Sequence, residues 1–502
     1  MKYALLGHLM ILLFATKSLA QPPLAIRVNS NEDAIAPDGK LTLREAIKLS
    51  NGTLTLSDLT AAELAQTDPN QSWRIAFQLP RDQQTIFLQR PLSPLEQPGL
   101  TLAGKATLTP APETTIPQGL ILSGDEIRVQ GLKLYGFRGE TDRQRGFPAA
   151  NLLIAPSKTN DNPPPQGIVI EENQLGSSQT PSAFGIAVFA GRDVVIRNNH
   201  IQHHQGSGVL TMVNSVNLKI ANNAIAHNGK AGMADGIRLA GKIDGTTIVN
   251  NQIANNGGSG IYLFKPEGAT VIENNQIVNN SQRRAQAAIF LMGSDHQVLN
   301  NKIENPRGAG VVVAAYPTSI RNIILDNRFE NLDGLSIDLI TRRETTVRAY
   351  DNGDGKNPPP NSLNRNRDTA NRAIASPEFL APKFYLFQET VPMEGTAMPH
   401  AQITLYRVGE SSANSPPPLL EPLAKTQADA EGRFGFELTE RVRGAKLSAI
   451  ATHPEYGTSE PADEILIQEI AQSDRKLRAS ELKAVTVTTV CCLLESNEPD
   501  QK

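Results

Sequence analysis

Ile170-Glu171-Glu172-Asn173-Gln174-Leu175 opens a series of seven short segments that ends at Ile324-Leu325-Asp326-Asn327-Arg328-Phe329. Each segment has Ile or Val three positions before its asparagine and Leu, Ile or Phe two positions after it, and successive asparagines lie 24 to 28 residues apart. A unit this short cannot bury an apolar face alone, so its repetition predicts a solenoid. The repeated asparagines are Asn173, Asn199, Asn223, Asn251, Asn275, Asn301 and Asn327.

A second repeat predicts a strand in each turn of the solenoid. Segments such as Gly236-Ile237-Arg238-Leu239 and Gly260-Ile261-Tyr262-Leu263 place an apolar residue at every second position, which is the period of a β-strand. The two repeats together predict an all-β fold, a right-handed parallel β-helix. We expect the asparagine column to form a hydrogen-bonded ladder inside a sharp corner, where asparagine tolerates a left-handed backbone.

Another polar column stands four residues after the first and is expected to form a second ladder. Two neighbouring coils carry histidine in this column, a pattern that raises the question of a metal pair, but no third ligand is evident in the sequence. Histidine in place of asparagine in a polar stack also has a purely structural explanation. The members of this column are His203, His227, Asn255, Asn279, Asn305 and Asn331.

The N-terminal residues of the chain predict export. Residues 1–20 have the pattern of a signal peptide, with Lys2, an apolar stretch and a small-x-small cleavage site at Ser18-Leu19-Ala20. We expect a periplasmic, extracellular or cell-surface protein, because no later segment reaches the length of an apolar membrane span. The C-terminal tail, residues 469–502, contains both cysteines, Cys491 and Cys492, and adjacent cysteines bridge each other only with strain.

The net charge excludes one class of partner. The chain carries 48 Lys and Arg against 51 Asp and Glu, a formal charge of −3 over 502 residues. Nucleic-acid binding needs a concentrated basic face, so no nucleic-acid partner is expected.

The N-terminal region carries a family resemblance. Leu41-Thr42-Leu43-Arg44-Glu45-Ala46 resembles the Cys-Ser-Leu-Arg-Glu-Ala motif that opens many secreted bacterial β-helix proteins, with Leu41 and Thr42 departing from it. If the family's cysteine has a chemical role, this chain lacks that role. The resemblance implies an N-terminal cap, residues 21–80, on a β-helix at residues 81–345, because a solenoid's first coil otherwise exposes its core. A Pro- and Asn-rich insertion at residues 139–166 is expected to form an external loop.

The C-terminal half predicts a linker and a second domain. Residues 346–381 are rich in Asp, Asn and Pro, and Asp351 and Asp354 with the nearby glycines are a candidate calcium site built from carboxylate and main-chain oxygens. A polar linker is the alternative reading of this stretch. Residues 382–468 alternate short strands with turns, a pattern that predicts a small β-sandwich and resembles the Ig-like modules that follow β-helices in bacterial surface proteins.

The predicted mature chain contains no carboxylate motif of the polygalacturonase type. The outward positions of the strand repeat are instead apolar, and an apolar face this large is expected to be covered. One reading is that the insertion, the N-terminal segment or the sandwich covers it. The other is a sugar-binding platform in which Tyr262 and Phe264 stack on sugar rings beside Phe290, and Arg238 pairs with a uronate or sulfate.

These observations predict an exported, non-catalytic β-helix protein that binds polysaccharide or acts in adhesion at the cell envelope or surface. Two alternatives stay open. The first is a polysaccharide lyase or epimerase for an acidic glycan, with Arg238, Tyr262 and the Asp351 to Asp354 stretch as its candidates. The second is a rigid structural spacer. Ca²⁺ is the one cofactor to consider.

Overall fold

The computed structural model describes residues 23–69, 71–140, 145–157, 163–232, 234–315, 318–341, 351–364, 368–386, 389–411 and 416–469. The predicted signal peptide, Cys491, Cys492 and residues 470–502 of the predicted tail lie outside the described residues. None of the helices in the described ranges is both long and apolar enough to cross a membrane.

Three sheets wind into a β-helix, one strand from each sheet per complete turn, and their strands are parallel except Thr67–Asp68, which pairs antiparallel with Ala25–Val28. Sheet 1 contains, in spatial order, Thr67–Asp68, Ala25–Val28, Arg74–Phe77, Thr101–Ala103, Arg128–Gln130, Val169–Glu171, Val195–Arg197, Lys219–Ala221, Thr246–Val249, Thr270–Glu273, Gln297–Leu299 and Ile323–Leu325. Sheet 2 contains Thr85–Leu88, Thr107–Pro110, Lys133–Leu134, Gln174–Leu175, His200–Gln202, Ala224–Ala226, Gln252–Ala254, Gln276–Val278, Lys302–Glu304 and Arg328–Glu330. Sheet 3 contains Gln118–Leu122, Ala150–Ile154, Phe184–Arg192, Val209–Val216, Ile237–Lys242, Ile261–Glu267, Ile289–Met292, Val311–Ala314 and Ile337–Ile340.

The core is a set of stacked aliphatic columns. Ile196, Ile220 and Ile248 pair in register on sheet 1, and Ile201, Ile225 and Ile253 do so on sheet 2. All six side chains have no exposed surface. Burying a side chain of this size contributes about 1.5–3 kcal/mol, and the repeat supplies such residues in every coil. The predicted all-β fold of a parallel β-helix followed by a β-sandwich is confirmed.

The seven repeated asparagines form a continuous ladder at the corner between sheets 1 and 2. Asn251 is representative: its Oδ1 accepts from the backbone N–H and the side-chain Nδ2 of Asn223, at 2.9 and 3.0 Å. Its own Nδ2 donates to Ile220 O, Val249 O and Asn275 Oδ1. Every ladder asparagine is at most 2% exposed. Hydrogen bonds within and between coils thus satisfy each buried amide.

The left-handed backbone at this corner belongs to the residue before each ladder asparagine, so the expectation that the asparagine itself is left-handed is wrong. Asn198, Asn222 and Asn250 have φ near 56°. A residue with positive φ turns the chain, and the following asparagine then points inward with an ordinary backbone. Each such pair of residues, here called a doublet, therefore has a first member that turns the chain and a second member that forms the ladder hydrogen bonds.

The second buried ladder lies one residue after the predicted column. His203, His227 and Asn255 have positive φ, and the rings of His203 and His227 stack at 5.2 Å between centroids. The buried column that follows them runs from Asn151 through His204 to Asn228, Asn256 and Asn280. His204 Nδ1 lies 2.7 Å from Asn228 Oδ1, so histidine replaces asparagine in a structural stack.

The N-terminal motif builds a helix that closes the first coil. Thr42 caps helix Leu43–Ser50, and Glu45 completes the capping box. Buried Arg44 makes two 2.8 Å bonds to Asp33 and donates to the carbonyls of Arg90 and Pro91. The other helical segments are Leu56–Asp58, Ala61–Leu64, Ala370–Ala373 and Glu440–Val442.

Strands of the solenoid also lie in regions predicted as cap and loop. Ala25–Val28 pairs in parallel with Arg74–Phe77, so sheet 1 begins inside the predicted cap. The predicted external loop at residues 139–166 contains Ala150–Ile154, a fully buried strand of sheet 3. The loop expectation is wrong for these residues, because they are apolar and form the sheet 3 strand of one coil.

The C-terminal β-sandwich packs directly on the last coil. Its smaller sheet contains Glu378–Phe379, Thr390–Thr396 and Arg433–Thr439. Its larger sheet contains Lys383–Leu386, Ile465–Glu469, Lys446–His453, Gln402–Val408 and Leu419–Gln427, with Gly457–Thr458 at the side. Ile324 N donates to Thr458 Oγ1 and Asp326 N donates to the Tyr406 hydroxyl, both at 2.9 Å. The sandwich therefore caps the open end of the solenoid.

Asn251→Leu is expected to lower the free energy of unfolding by at least about 3 kcal/mol, since each buried polar group left unpaired costs roughly 1–3 kcal/mol. The matched control is Asn250→Gly, at an exposed position with φ 56°, where glycine adopts the backbone without strain. Urea denaturation of both variants measures the difference. Equal midpoints for the two variants would contradict the division of roles within the doublet.

Stability is expected to fall as the pH drops from 6.5 towards 4. Burial lowers the pKa of both His204 and His296 from 6.5 to about 4. A depressed folded-state pKa gives stability that is complete above the unfolded pKa and is lost as the pH falls through the folded pKa, here on the order of 3 kcal/mol per histidine. His204→Asn should flatten the plot of melting temperature against pH, whereas His200→Asn, on the outer face of sheet 2, should leave its slope unchanged.

Candidate functional site

The outer face of sheet 3 is covered at both ends and open between them. At one end Phe147 packs over Leu153 and Ala187 and contacts the Phe189 ring edge-on at 4.9 Å. At the other end the chain at Asp351 and Asn352 accepts backbone hydrogen bonds from Ala287 and Ala309. The open stretch lies around strands Ile237–Lys242 and Ile261–Glu267. The insertion, which contains Phe147, therefore covers one end of this face, and the platform interpretation concerns the open stretch.

Stacking order places the predicted platform residues in one column. Strand pairing sets Leu210, Arg238, Tyr262 and Phe290 at successive positions. The Tyr262 and Phe290 rings stack at 4.4 Å with 7° between their planes, and the Arg238 guanidinium lies 4.4 Å from the Tyr262 centroid. Phe290 has no exposed surface and Tyr262 has 6%. Phe290 thus supports Tyr262 and does not present a surface to a ligand.

Phe264 is the exposed aromatic residue of the group. Its side chain is 38% exposed, and two cations lie beside its ring: the Arg238 guanidinium at 5.1 Å and the Lys265 ammonium at 5.4 Å from the centroid. Cations at these distances are attracted to the ring face. An apolar ring surface and positive charge are therefore presented together at the open stretch.

Arg238 has an acidic partner that the sequence analysis did not assign. Its Nη1 donates to Asp235 Oδ2 at 2.9 Å, and Ser259 N donates to Asp235 Oδ1 at 3.1 Å. Asp235 is buried, and burial raises its pKa, while the attraction of Arg238 opposes that rise. The corner before the strand of Arg238 brings Asp235 beside it, so the cation of the predicted platform is already paired with a carboxylate.

A cleft of about 340 Å³ opens beside this ion pair. Its lining residues are Gly232, Ala234, Asp235, Arg238, Arg284 and Gln286. Asp351 contacts a lining residue, accepting from Gln286 Nε2 at 3.1 Å, and lies 3.5 Å from the Tyr262 hydroxyl. Burial raises the pKa of Asp351, and Gln286, Arg284 and Tyr262 oppose the rise. The cleft is thus lined by one carboxyl group and two guanidinium groups, and the Asp351 carboxyl group is bonded to Gln286.

The two predicted calcium ligands occupy different surroundings. Asp351 accepts from Gln286 of the cleft, whereas Asp354 lies with Asp338, whose carboxylate accepts from the backbone N–H groups of Asp354 and Gly355. Burial, with the nearby Glu460 and Asp354 carboxyls, raises the pKa of Asp338 well above its usual value. Within the described ranges, no group of three or more His, Cys, Asp or Glu side chains is arranged to hold a metal ion.

Most cleft residues are not marked by any pattern in the sequence. Asp235 is the exception, because it stands only three positions before Arg238. Arg284 and Gln286 come from the corner of a later coil, and Asp351 comes from beyond the last repeat. Their convergence depends on how corners of different length fold over the sheet, which the repeat pattern does not encode.

Comparison with known proteins agrees with this architecture. A family model described as "Right handed beta helix region" matches residues 157–242 and 233–352. The fold is therefore that of right-handed parallel β-helix proteins. No curated protein matches the chain.

Solved structures with a similar fold are distant in sequence. A double mutant of the periplasmic alginate epimerase AlgG is 15% identical with a TM-score of 0.39, and the match covers 55% of this chain and 63% of the epimerase, less than two thirds of its length. DFA-IIIase from Arthrobacter chlorophenolicus A6 is 12% identical with a TM-score of 0.36, covering 61% and 69%. The Streptococcus pneumoniae surface protein and adhesin PfbA is 15% identical with a TM-score of 0.34, covering 54% and 70%. At such identities the likeness is one of fold.

Arg238→Met is expected to destabilise the protein by about 3 kcal/mol, because it leaves the buried Asp235 carboxylate without its partner. Adding Asp235→Asn should recover part of the loss, since a neutral amide needs no counter-charge. Urea denaturation of the single and double variants measures both effects. The control is Arg433→Met, which removes a solvent-exposed ion pair with Asp429 and should change the urea midpoint far less than Arg238→Met does. A double variant no more stable than Arg238→Met would contradict the assigned pairing.

Proposed function

We propose that the protein is exported and binds an acidic polysaccharide at the cell envelope or surface. The observation that carries this proposal is the exposed Phe264 ring with Arg238 and Lys265 at 5.1 and 5.4 Å, on the open stretch of sheet 3. A sugar ring packs its apolar face on an aromatic side chain, and a uronate or sulfate group pairs with a cation beside it.

The regular stacking of coils on sheet 3 also supports a polymer ligand. Parallel strands repeat about every 4.8 Å, so neighbouring coils present side chains at regular steps along the solenoid axis. A glycan chain laid along this axis meets Phe264 on one coil and the positions of adjacent coils on either side. Adhesion to a polysaccharide surface is the role that this arrangement serves.

Phe264→Ala is expected to weaken binding to the preferred polysaccharide about tenfold, a change that corresponds to about 1.4 kcal/mol. A glycan array identifies the ligand, and titration of the purified protein measures the affinity. The matched control is Phe87→Ala, which removes a 48% exposed phenylalanine from strand Thr85–Leu88 of sheet 2 and should leave affinity unchanged. Equal affinities for wild type and Phe264→Ala would refute the platform, and the absence of any ligand would favour the spacer.

A polysaccharide lyase or epimerase is the second candidate function. The observation that favours it is the pair of carboxyl groups, Asp235 in the cleft and Asp351 beside it, whose pKa values burial raises near Arg238 and the Tyr262 hydroxyl. Such groups are suited to proton transfer. Absorbance of unsaturated uronate and a change in uronate stereochemistry, measured on each bound glycan, separate this candidate from a binding protein.

We propose Ca²⁺ as the cofactor to include in these assays, because the Asp351 to Asp354 stretch offers carboxylate and main-chain oxygens. Binding is read with Ca²⁺ and with chelator. Identical affinity and identical melting temperature in the two conditions would remove calcium from the proposal.

A further inference from the structure

The cleft beside Arg238 contains a buried acceptor with no internal donor. Gln286 is 5% exposed, and its Oε1 has no hydrogen-bond partner in the described part of the chain, while its Nε2 donates to Asp351 Oδ2 at 3.1 Å. The bond to Asp351 fixes the amide plane, so Oε1 is held in place. A buried carbonyl oxygen without a donor is unfavourable, and a ligand O–H or N–H relieves it.

Glycine at position 258 lets the Asp235 and Gln286 side chains pack closely against the backbone. A Cβ on Gly258 would lie 2.6 Å from both Asp235 Oδ1 and Gln286 Oε1. A larger residue at this position would therefore displace one or both of these side chains. The Gly258 backbone lies outside the positive-φ region that favours glycine, so the lack of a side chain is the property that this position uses.

From the unpartnered Gln286 acceptor and the Arg284 guanidinium in the same cleft, we propose that the cleft is a subsite for a single uronic acid residue. A sugar hydroxyl donates to Gln286 Oε1, and the Arg284 guanidinium at the rim pairs with the uronate carboxylate. A volume of about 340 Å³ suits one ring and not a chain segment, since ligand pockets span roughly 300–1,000 Å³. The subsite rests on the proposed function, because it reads one residue of the acidic polymer that Phe264 holds.

The charge balance of the cleft agrees with an anionic sugar. Among the residues that line the cleft, Asp235 is matched by Arg238, and Arg284 is the second guanidinium. Asp351, which accepts from Gln286 and attracts Arg284, is not one of the lining residues, and a uronate can approach the exposed side of Arg284. A neutral sugar supplies the same hydroxyl donor but no carboxylate for Arg284, and it should bind more weakly.

Saturation-transfer NMR on the full chain tests the subsite with free D-glucuronate, D-galacturonate and D-mannuronate against D-glucose, D-galactose and D-mannose. We expect at least one uronate to bind, with its neutral counterpart at least tenfold weaker. Gly258→Ala should weaken uronate binding at least tenfold because its methyl group displaces the Gln286 and Asp235 side chains from their positions. Gln286→Met keeps the volume but removes the acceptor, and it should weaken binding at least tenfold.

Gly435→Ala is the matched glycine control. The nearest atom to a Cβ there is Met393 O at 3.6 Å, an ordinary contact, so this variant should bind uronate as the wild type does. Melting temperatures of all variants establish that they are folded. A wild type that binds no uronate, or Gly258→Ala and Gln286→Met variants that bind it unchanged, would overturn the subsite. The platform fails separately, when polymer binding survives Phe264→Ala.

Discussion

The buried asparagine ladder is the interaction on which the rest of the structure depends. An asparagine amide in an apolar core is tolerated only when its donors and acceptor are all paired, and the ladder residues from Asn173 to Asn301 meet this condition through the coil before and the coil after. Asn327, at the end of the ladder, donates instead to Val298 O and Leu325 O. The ladder therefore fixes the register of sheets 1 and 2. The number of residues between successive ladder partners, which is the length of one coil, varies from 24 to 28. Because the ladder corner is the same in every coil, the additional residues lie elsewhere in the turn.

Sheet 3 and its corners absorb those differences, and this is why the candidate site lies there. Strands of sheets 1 and 2 are two to four residues long, whereas Phe184–Arg192 of sheet 3 has nine residues and Val209–Val216 has eight. The same register that holds the core also stacks side chains on the outer face. Arg238, Tyr262 and Phe290 lie above one another at 4.4 Å, close to the spacing of parallel strands, so an aromatic stack follows from identical positions on adjacent coils.

The sequence predicts the periodic part of this molecule well and the aperiodic part poorly. The asparagine and aliphatic columns follow directly from residue spacing, because each is a local pattern repeated in every coil. The second ladder was placed one residue early, at His203 in place of His204, because both members of each doublet are polar and only the backbone shows which one turns. The platform column was identified, but the burial of Phe290 and the approach of Asp351 depend on a segment beyond the last repeat. No spacing rule reports a contact across 65 residues such as that of Gln286 with Asp351.

The unpaired groups at the end of the solenoid explain why the β-sandwich packs directly against the last coil. Any finite stack leaves its last coil with unpaired N–H and C=O groups and an exposed aliphatic layer. Here a third polar column runs through His296, Asn322 and Asn371. Asn371 Oδ1 accepts from Asn322 N at 3.1 Å, and Asn371 Nδ2 donates to Thr458 O at 2.9 Å. Glu460 likewise accepts from Leu339 N at 3.1 Å. These bonds take the place of a next coil, so the sandwich and the last coil satisfy each other's polar groups. Asp351 and Asn352 lie along sheet 3, where they accept from Ala287 N and Ala309 N, and Asp351 also accepts from Gln286 of the cleft.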